Sequence, residues 1–375
     1  MPLKLKEIRQ YLHQHPELSN QEFETIQFIE NLIKPLNPDR IIRIGELSRV
    51  YVFDSGKPGP TIIFRADIDA LPIQEKNNIS YQSKNEGVAH LCGHDGHSTI
   101  LIGLARRIAE NRPSLGKVAF LFQSAEETGE GAKQVIENDE FLALNADFIF
   151  GLHNIPGYPL HEVLLKTGSF AAASKGLKLT LQGKTCHAAE PEKGINPALA
   201  MADITRELHD ILQQKQLFQN LTLLTFIYSR LGEIAYGTSP GFAEMGFTLR
   251  AFENNDMKLL IEKAEQIIRK NCVEHELKFD IEYLEEFPAT VNDAEAIRII
   301  EHAATHKNLK MSYLSQSMRW SEDFGYYNQK IRGGFFGLGS GHHQPELHHY
   351  NFDFPNELIE TGVSLFEEIY RKLLS

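Results

Sequence analysis

Residues 61–69, TIIFRADID, decide the fold class of this chain of 375 residues. The run starts with apolar and β-branched residues and ends in alternating charges at Arg65, Asp67 and Asp69. A short apolar run of this kind is typical of a buried strand in a parallel sheet. Three similar runs are RVYVFD at 49–54, VAFLFQ at 118–123 and DFIFGLH at 147–153. We therefore predict four buried, parallel strands.

An amphipathic helix separates two of these runs. The segment HSTILIGLARRIAE, at 97–110, has its apolar residues at helical spacing. Helical spacing also occurs over Glu22–Ile33 near the start of the chain and from about Asn356 at its end. Strands that alternate with helices indicate a doubly wound α/β sheet.

The pattern changes at about residue 174. KGLKLTLQG, at 175–183, alternates with period two, as in a strand with one solvated face. A helix (197–214), two strands (221–229 and 243–252), a helix (256–276) and a strand (277–285) follow. The order βαββαβ is that of the split-βαβ, ferredoxin-like motif. We predict an inserted α+β domain at 174–287, within an α/β domain formed by 1–173 and 288–375.

Charge and cysteine content exclude several classes of protein. The formal net charge is −12, and an acidic surface repels phosphate backbones, so we expect no nucleic-acid partner. The three cysteines, Cys92, Cys186 and Cys272, are too few and too scattered for a disulfide framework. Charged residues interrupt the N-terminus before an apolar run forms, and no apolar stretch is long enough to span a bilayer. We expect a cytoplasmic protein without a membrane partner.

Polar residues follow the predicted strands where each strand ends. Asp67 and Asp69 end one run, Glu126 and Glu127 follow another, and His153 ends a third. The segment HLCGHDGH, at 90–97, lies just before a predicted helix. Ligands of open α/β sheets bind beyond the carboxyl ends of the strands. We therefore expect these groups to meet at one edge of the sheet and to form a metal centre.

The donor types suit a first-row divalent metal. Cys92 and His94 are two residues apart, and both can reach one ion from an irregular loop. His97 is either a third donor or, as we prefer, a residue at the start of the helix that faces its packing side. Of the adjacent Glu126 and Glu127, one can bind metal while the other stays free to move a proton.

Two further sets of residues stay open from composition alone. Asp69 is expected to hydrogen-bond a ligand imidazole from outside the metal shell, whereas Asp67 is equally well a cap at the start of a loop. At most one or two of the late histidines can reach the site, and composition does not choose among them. They are His342, His343, His348 and His349.

Six motifs together resemble the aminoacylase/hippurate hydrolase family of dinuclear metallo-amidohydrolases, including bacterial N-acyl-amino-acid amidohydrolases and plant auxin-conjugate hydrolases. They are RADIDALPIQE, CGHDGH, QSAEETGEGA, GLHNIP, GKTCHAAEP and SEDF. The resemblance runs from LHQHPELSNQEFET to LHHYNFDFPNE, almost the whole chain. It implies a zinc-peptidase-like catalytic domain with an inserted dimerisation lid.

The resemblance also implies a role for each candidate residue. It implies two divalent ions, Mn²⁺ or Zn²⁺, with Co²⁺ or Ni²⁺ as further options. The implied ligands are Cys92, His94, Glu127, His153 and His348. Glu126 would be the general base and acid towards a metal-bound hydroxide, and His187 would reach across a homodimer to polarise the substrate carbonyl. Arg250 would bind the substrate carboxylate, as a guanidinium can.

The implied reaction is hydrolysis of an N-acyl amino acid, with an acetyl, benzoyl or similar acyl group, to a carboxylic acid and a free amino acid. Ser124 replaces the proline of the Gln-Pro-Ala-Glu-Glu sequence that the family often has. Gly237 stands where many relatives have an asparagine that helps to bind substrate, so the substrate itself stays open.

Three other functions remain as alternatives. The first is a dipeptidase or aminopeptidase on the same scaffold, which would differ in how it recognises the substrate N-terminus. The second is a hydrolase that uses Cys92 as its nucleophile. The third is a binding protein without catalysis, although such a protein has no use for a free carboxylate beside a metal.

Overall fold

The computed structural model describes residues 3–374. Its helices are α1 Leu5–Gln14, α2 Phe23–Ile33, α3 His94–Glu110, α4 Gly131–Ile136, α5 Asp139–Leu142, α6 Ala198–Gln213, α7 Asn254–Glu274, α8 Ala294–His306, α9 Gly325–Asn328 and α10 Glu357–Leu374. Its strands are β1 Arg40–Ile44, β2 Ser48–Asp54, β3 Thr61–Asp67, β4 Lys117–Gln123, β5 Phe148–Ile155, β6 Val163–Leu165, β7 Gly168–Ala171, β8 Ala173–Gln182, β9 Cys186–His187, β10 Thr222–Leu231, β11 Thr238–Ser239, β12 Phe242–Ala251, β13 Lys278–Phe287, β14 Thr290–Asn292, β15 Met311–Tyr313 and β16 Arg332–Gly339.

The described chain separates into two compact units. The second unit consists of Ala171–Ala289 together with Met318–Ser321, and the first unit contains the rest. The sequence places the inserted domain at 174–287. The chain thus leaves the first unit after β7 and returns to it at β14.

The first unit contains an eight-stranded sheet with the order β1-β2-β4-β3-β5-β16-β6-β15. The neighbours β4, β3, β5 and β16 run parallel to one another. Every residue of β3 and β5 is buried, and α3 and α10 pack together beside the sheet. The predicted α/β class is confirmed. Because these strands are parallel, the residues that end β3, β4 and β5 lie at the same edge of the sheet.

The predicted parallel direction is wrong for one of the four strands. RVYVFD, within β2, pairs antiparallel with both of its neighbours, β1 and β4. Only residues 45–47 connect β1 to β2, which is a hairpin, whereas a parallel crossover needs a dozen residues or more. An apolar run reports burial and not strand direction, so the sequence pattern could not distinguish the two cases.

The second unit contains a four-stranded antiparallel sheet with the order β10-β12-β8-β13. Its elements follow one another as β8, α6, β10, β12, α7 and β13, apart from the two-residue strands β9 and β11. Leu177, Leu179 and Leu181 of β8 are buried, and they share a core with residues of α6 and α7. The alternation seen in KGLKLTLQG therefore marks one covered face.

None of the helices within residues 3–374 combines the length and the apolar character that are needed to cross a bilayer.

Candidate metal centre

The loop before α3 brings Cys92 and His94 to the sheet edge, and both side chains are buried. Gly93 between them has a φ of 105°, in the left-handed region. A Cβ atom at Gly93 would lie 2.1 Å from the Oδ1 atom of Asn154. Only glycine has both the required backbone freedom and the required space. The sequence Cys-Gly-His is therefore needed for this local geometry.

His153, near the end of β5, meets Cys92. The Cys92 Sγ atom lies 3.4 Å from His153 Nε2, and the other ring nitrogen, Nδ1, lies 2.8 Å from the Asn154 carbonyl oxygen. Because a carbonyl oxygen only accepts hydrogen bonds, Nδ1 carries the proton. The Nε2 lone pair is then directed at Cys92, as in metal-binding histidines.

His94 has the same kind of arrangement. Its Nδ1 lies 2.9 Å from the Asp69 carbonyl oxygen and 3.2 Å from Asp69 Oδ1, so Nδ1 donates to Asp69. Its Nε2 lies 3.8 Å from Glu127 Oε1 and 4.0 Å from Glu126 Oε2. Asp69 therefore hydrogen-bonds the imidazole of His94, as expected from the sequence.

Two buried atoms in this group fit a metal ion. His94 Nε2 and Glu127 Oε1 have no hydrogen-bond partner among the described residues. Such orphaned atoms are rare in folded proteins and call for an explanation. Burial raises the pKa of Glu127 to about 7.

A shared metal accounts for the spacing of the ligand atoms. Atoms bound about 2.0–2.3 Å from one ion lie roughly 3–4 Å from one another. His348 Nε2 lies 3.7 Å from Glu127 Oε1, close to the other separations in the site. The side-chain groups that could hold a metal include all five predicted ligands. We call these residues the metal cluster: Cys92, His94, Glu127, His153 and His348.

Glu126 lies beside the metal cluster. Its Oε1 accepts a hydrogen bond of 3.3 Å from the Asp323 backbone, and its Oε2 faces His94. Burial, followed by the charges of Glu322 and Glu127, raises the pKa of Glu126 well above its ordinary value. The chain therefore holds a carboxyl group of raised proton affinity next to a metal-type donor set.

His97 lies buried in the first turn of α3, as predicted, but its ring also makes polar contacts. Nδ1 lies 2.7 Å from Asp67 Oδ1 and Nε2 lies 2.7 Å from the side chain of Asn154. With Asp67 and His94 it also forms a group that could hold a metal. Asp67 in turn accepts a 2.7 Å hydrogen bond from Arg65. Asp67 is therefore a buried link between two cationic or polar groups and not a cap at the start of a loop.

Sequence reasoning missed a buried group next to Glu126. Arg65 donates to Asp323 at 2.8 Å and lies 3.1 Å from Glu322. The signals were present: Arg65 ends a buried strand, and Glu322 and Asp323 belong to the SEDF motif. Neither signal indicates its partner, because these contacts join residues far apart in the chain.

The remaining predicted residues lie in two places. His187, exposed on β9, and Arg250, half-buried on β12, belong to the second unit. Arg250 donates to the Arg319 carbonyl oxygen at 3.0 Å and to Ser321 Oγ at 2.9 Å. All four late histidines are exposed, and within the described chain only His348 among them joins a group that could hold a metal.

Comparison with known proteins decides the family. A model of peptidase family M20/M25/M40 matches residues 63–372. The chain belongs to this family. The M20 chain is 35% identical to an N-acetyl-L-cysteine deacetylase of Bacillus subtilis (strain 168), over 98% of the chain and 87% of that relative. It is 31% identical to an N-acetyldiaminopimelate deacetylase of Exiguobacterium sibiricum, over 98% of each.

A solved structure agrees with the fold of the M20 chain. A dinuclear metal binding peptidase of family M20 from Bacillus subtilis superimposes with a TM-score of 0.82 and 28% identity, covering 97% of this chain and 96% of that one. The family and these relatives make the M20 chain a hydrolase that acts on amide bonds, as the resemblance implied.

Proposed function

We propose that the M20 chain hydrolyses the amide bond of N-acyl amino acids to a carboxylic acid and a free amino acid. The observation that carries the proposal is the buried Glu126 beside five metal-type donors. The names of two relatives, deacetylases of N-acetyl-L-cysteine and N-acetyldiaminopimelate, support an N-acyl amino acid as the substrate class.

The metal cluster would hold two divalent ions, Mn²⁺ or Zn²⁺, with Co²⁺ or Ni²⁺ also compatible with its thiolate and imidazole donors. Divalent ions supply Lewis acidity, which polarises a carbonyl group and lowers the pKa of water. Asp69 would keep the Nδ1 proton of His94 in place and so keep Nε2 available as a ligand.

Glu126 would move the proton of the reaction. It would accept a proton from the attacking water and deliver it to the nitrogen of the departing amino acid. Its buried position beside the metal cluster suits both steps, and burial raises its pKa above the ordinary value of a carboxyl group. General acid–base catalysis of this kind contributes about 10²–10⁴-fold to the rate.

The second unit would complete the site in a homodimer. We propose that His187 from one protomer polarises the substrate carbonyl in its partner and that Arg250 binds the substrate carboxylate. Supporting observations are the exposure of His187 and the outermost position of β10 in its sheet, where Ile227 is 57% exposed. An unpaired apolar strand edge is a natural surface for pairing with a second copy.

The contact between Cys92 and His153 also raises the alternative of a thiol nucleophile. Burial, followed by the charge of Glu127, raises the pKa of Cys92 well above its ordinary value. Reactive cysteines have a lowered pKa and partial exposure, whereas Cys92 is buried. This chemistry suits a metal ligand better than a nucleophile.

The test is an amide-hydrolysis assay on metal-stripped protein supplied with Mn²⁺, Zn²⁺, Co²⁺ or Ni²⁺. The substrates are N-acetyl, N-benzoyl and indole-acetyl amino acids together with simple dipeptides. Glu126→Gln is compared with Glu130→Gln, a matched change at an exposed glutamate on the same turn. We expect metal-dependent release of amino acid, with kcat lowered about 10²–10⁴-fold in Glu126→Gln and unchanged in Glu130→Gln.

Each alternative has its own outcome. Preference for dipeptides would favour the peptidase, and loss on alkylation without sensitivity to chelators would favour the Cys92 nucleophile. Bound metal with no turnover on any substrate would favour a binding protein.

A further inference from the structure

The turn that carries Glu126 and Glu127 contains an unusual residue. Ala125 has a φ of 52°, in the left-handed region that residues with a Cβ atom avoid. This conformation is strained and persists only where the surroundings impose it. Something outside the turn must therefore hold Ala125.

Glu22 supplies that restraint from the N-terminal part of the chain. Its Oε1 accepts a hydrogen bond of 2.7 Å from the backbone N–H of Ala125, across 103 residues of sequence. The Glu22 side chain is fully buried, and its Oε2 has no hydrogen-bond partner among the described residues. A single oxygen of Glu22 thus makes the contact.

Glu22 is available for this contact because another glutamate caps α2. Glu22 stands at the N-cap position of α2, yet its side chain makes no capping hydrogen bond. The Glu17 carboxylate accepts from the backbone N–H groups of Glu24 and Thr25 instead. Glu17 therefore caps α2, and Glu22 is left to hold the turn at Ala125.

A second contact holds the other side of Glu126. Asp69 Oδ2 accepts from the backbone N–H of Glu127 at 3.0 Å and from Ser19 Oγ at 2.7 Å. The backbone N–H groups of Ala125 and Glu127, the residues on either side of Glu126, are thus each bonded to a buried carboxylate. With both neighbours held, Glu127 stays in the metal cluster and Glu126 stays beside it.

We propose that Glu22 is a positioning residue of the amidohydrolase site: through the Ala125 N–H it sets the orientation of the turn and hence of Glu126 and Glu127. The proposal rests on the proposed roles of Glu126 and Glu127. Glu22 touches neither substrate nor metal in this arrangement. The chemistry that the position requires is a buried hydrogen-bond acceptor, not a negative charge.

The test compares two substitutions of similar volume. Glu22→Met fills the space but cannot accept the hydrogen bond, whereas Glu22→Gln can. Loss of a residue that holds a metal ligand in place typically lowers activity or metal affinity about 10–100-fold. We expect Glu22→Met to lower kcat by about that factor with KM changed less than about threefold, and Glu22→Gln to restore kcat.

Glu17→Ala is the matched control, because it removes the cap of α2 from the same segment. Loss of a cap destabilises the helix, so this variant should unfold at a lower urea concentration while kcat stays unchanged. If Glu22→Met keeps the wild-type kcat, or if Glu17→Ala lowers kcat as much, the proposal is overturned. Failure of Glu22→Gln to restore kcat would also overturn it.

A second readout separates this proposal from the proposed function. Mn²⁺ affinity of the metal-stripped variants, measured by chelator competition, should fall about tenfold in Glu22→Met and stay unchanged in Glu22→Gln. That pattern in a protein without amide hydrolysis would support Glu22 and reject the proposed function. Equal affinity in wild type and Glu22→Met would reject the role of Glu22, whatever the activity.

Discussion

Two buried polar clusters meet at the first turn of α3 and are built in opposite ways. His94 belongs to the metal cluster, whereas the next residue, Asp95, belongs to what we call the ion-pair cluster: Arg9, His13, Glu75, Asp95 and Asp353. Asp95 Oδ2 lies 2.8 Å from His13 Nδ1 and 3.3 Å from Arg9 Nη1. His94 Nε2, by contrast, has no hydrogen-bond partner among the described residues.

The pKa values of the carboxyl groups differ between the ion-pair cluster and the metal cluster. Burial raises the pKa of Asp95, but the hydrogen bond from His13 and the charge of Arg9 outweigh burial and hold it well below its ordinary value. Burial raises the pKa of Glu127 to about 7. In the ion-pair cluster the charged groups face opposite charges, whereas in the metal cluster several metal-type donors face one another and fit a metal ion.

The largest effect is expected from breaking the ion-pair cluster. Arg9→Met leaves Asp95 and Asp353 without the guanidinium that lies 2.6 Å from Asp353 Oδ1. Removal of one partner of a buried ion pair costs about 3–5 kcal/mol. We expect a decrease of that size in the free energy of unfolding, measured with urea on metal-stripped protein.

The control for Arg9→Met is an arginine in an exposed ion pair. Arg40 lies 2.7 Å from Glu140, and both side chains are about half exposed or more. Exposed pairs contribute about 0–1 kcal/mol, so Arg40→Met should change the free energy of unfolding by no more than that. Equal losses in the two variants would remove the contrast between the clusters.

A smaller effect is expected from pH. Burial lowers the pKa of His13, but hydrogen bonds to Asp95 and Glu75 outweigh burial and raise it to about 9. A raised pKa in the folded state gives stability that is complete below the unfolded value of about 6.5 and is lost as pH rises through 9. The corresponding loss is roughly 3 kcal/mol.

The pH effect is isolated by comparing wild type with His13→Gln in urea titrations between pH 6 and 10. The wild-type free energy of unfolding should fall more steeply than that of His13→Gln across this window. Parallel curves would show that His13 is not held as a charged partner of Asp95 and Glu75. The contrast between the ion-pair cluster and the metal cluster would then be lost.

Much of the fold followed from local pattern. The apolar runs and helical spacing predicted the α/β class and the order of elements in the second unit, because burial leaves a periodic trace in sequence. Strand direction left no such trace in RVYVFD, where the short connection to β1 decides the pairing. Residues near strand ends, among them Asp69, Glu127 and His153, came together because parallel strands share one edge.

The supporting residues could not be predicted in this way. Glu22 bonds to Ala125 across 103 residues, and Arg65 bonds to Asp323 across 258 residues. No periodicity connects such pairs, and a glutamate before a helix is locally a cap. A sequence pattern can therefore suggest the metal ligands of the site. The residues that hold those ligands in place come into contact only in the folded chain.

The most direct test of the account is a crystal structure of the protein reconstituted with Mn²⁺, with the ions located by anomalous scattering. The account predicts two peaks within bonding distance of the five residues of the metal cluster, with the Glu126 carboxylate unbound and next to them. Peaks bound by Glu126, or full occupancy elsewhere with none at Cys92 and His94, would contradict it.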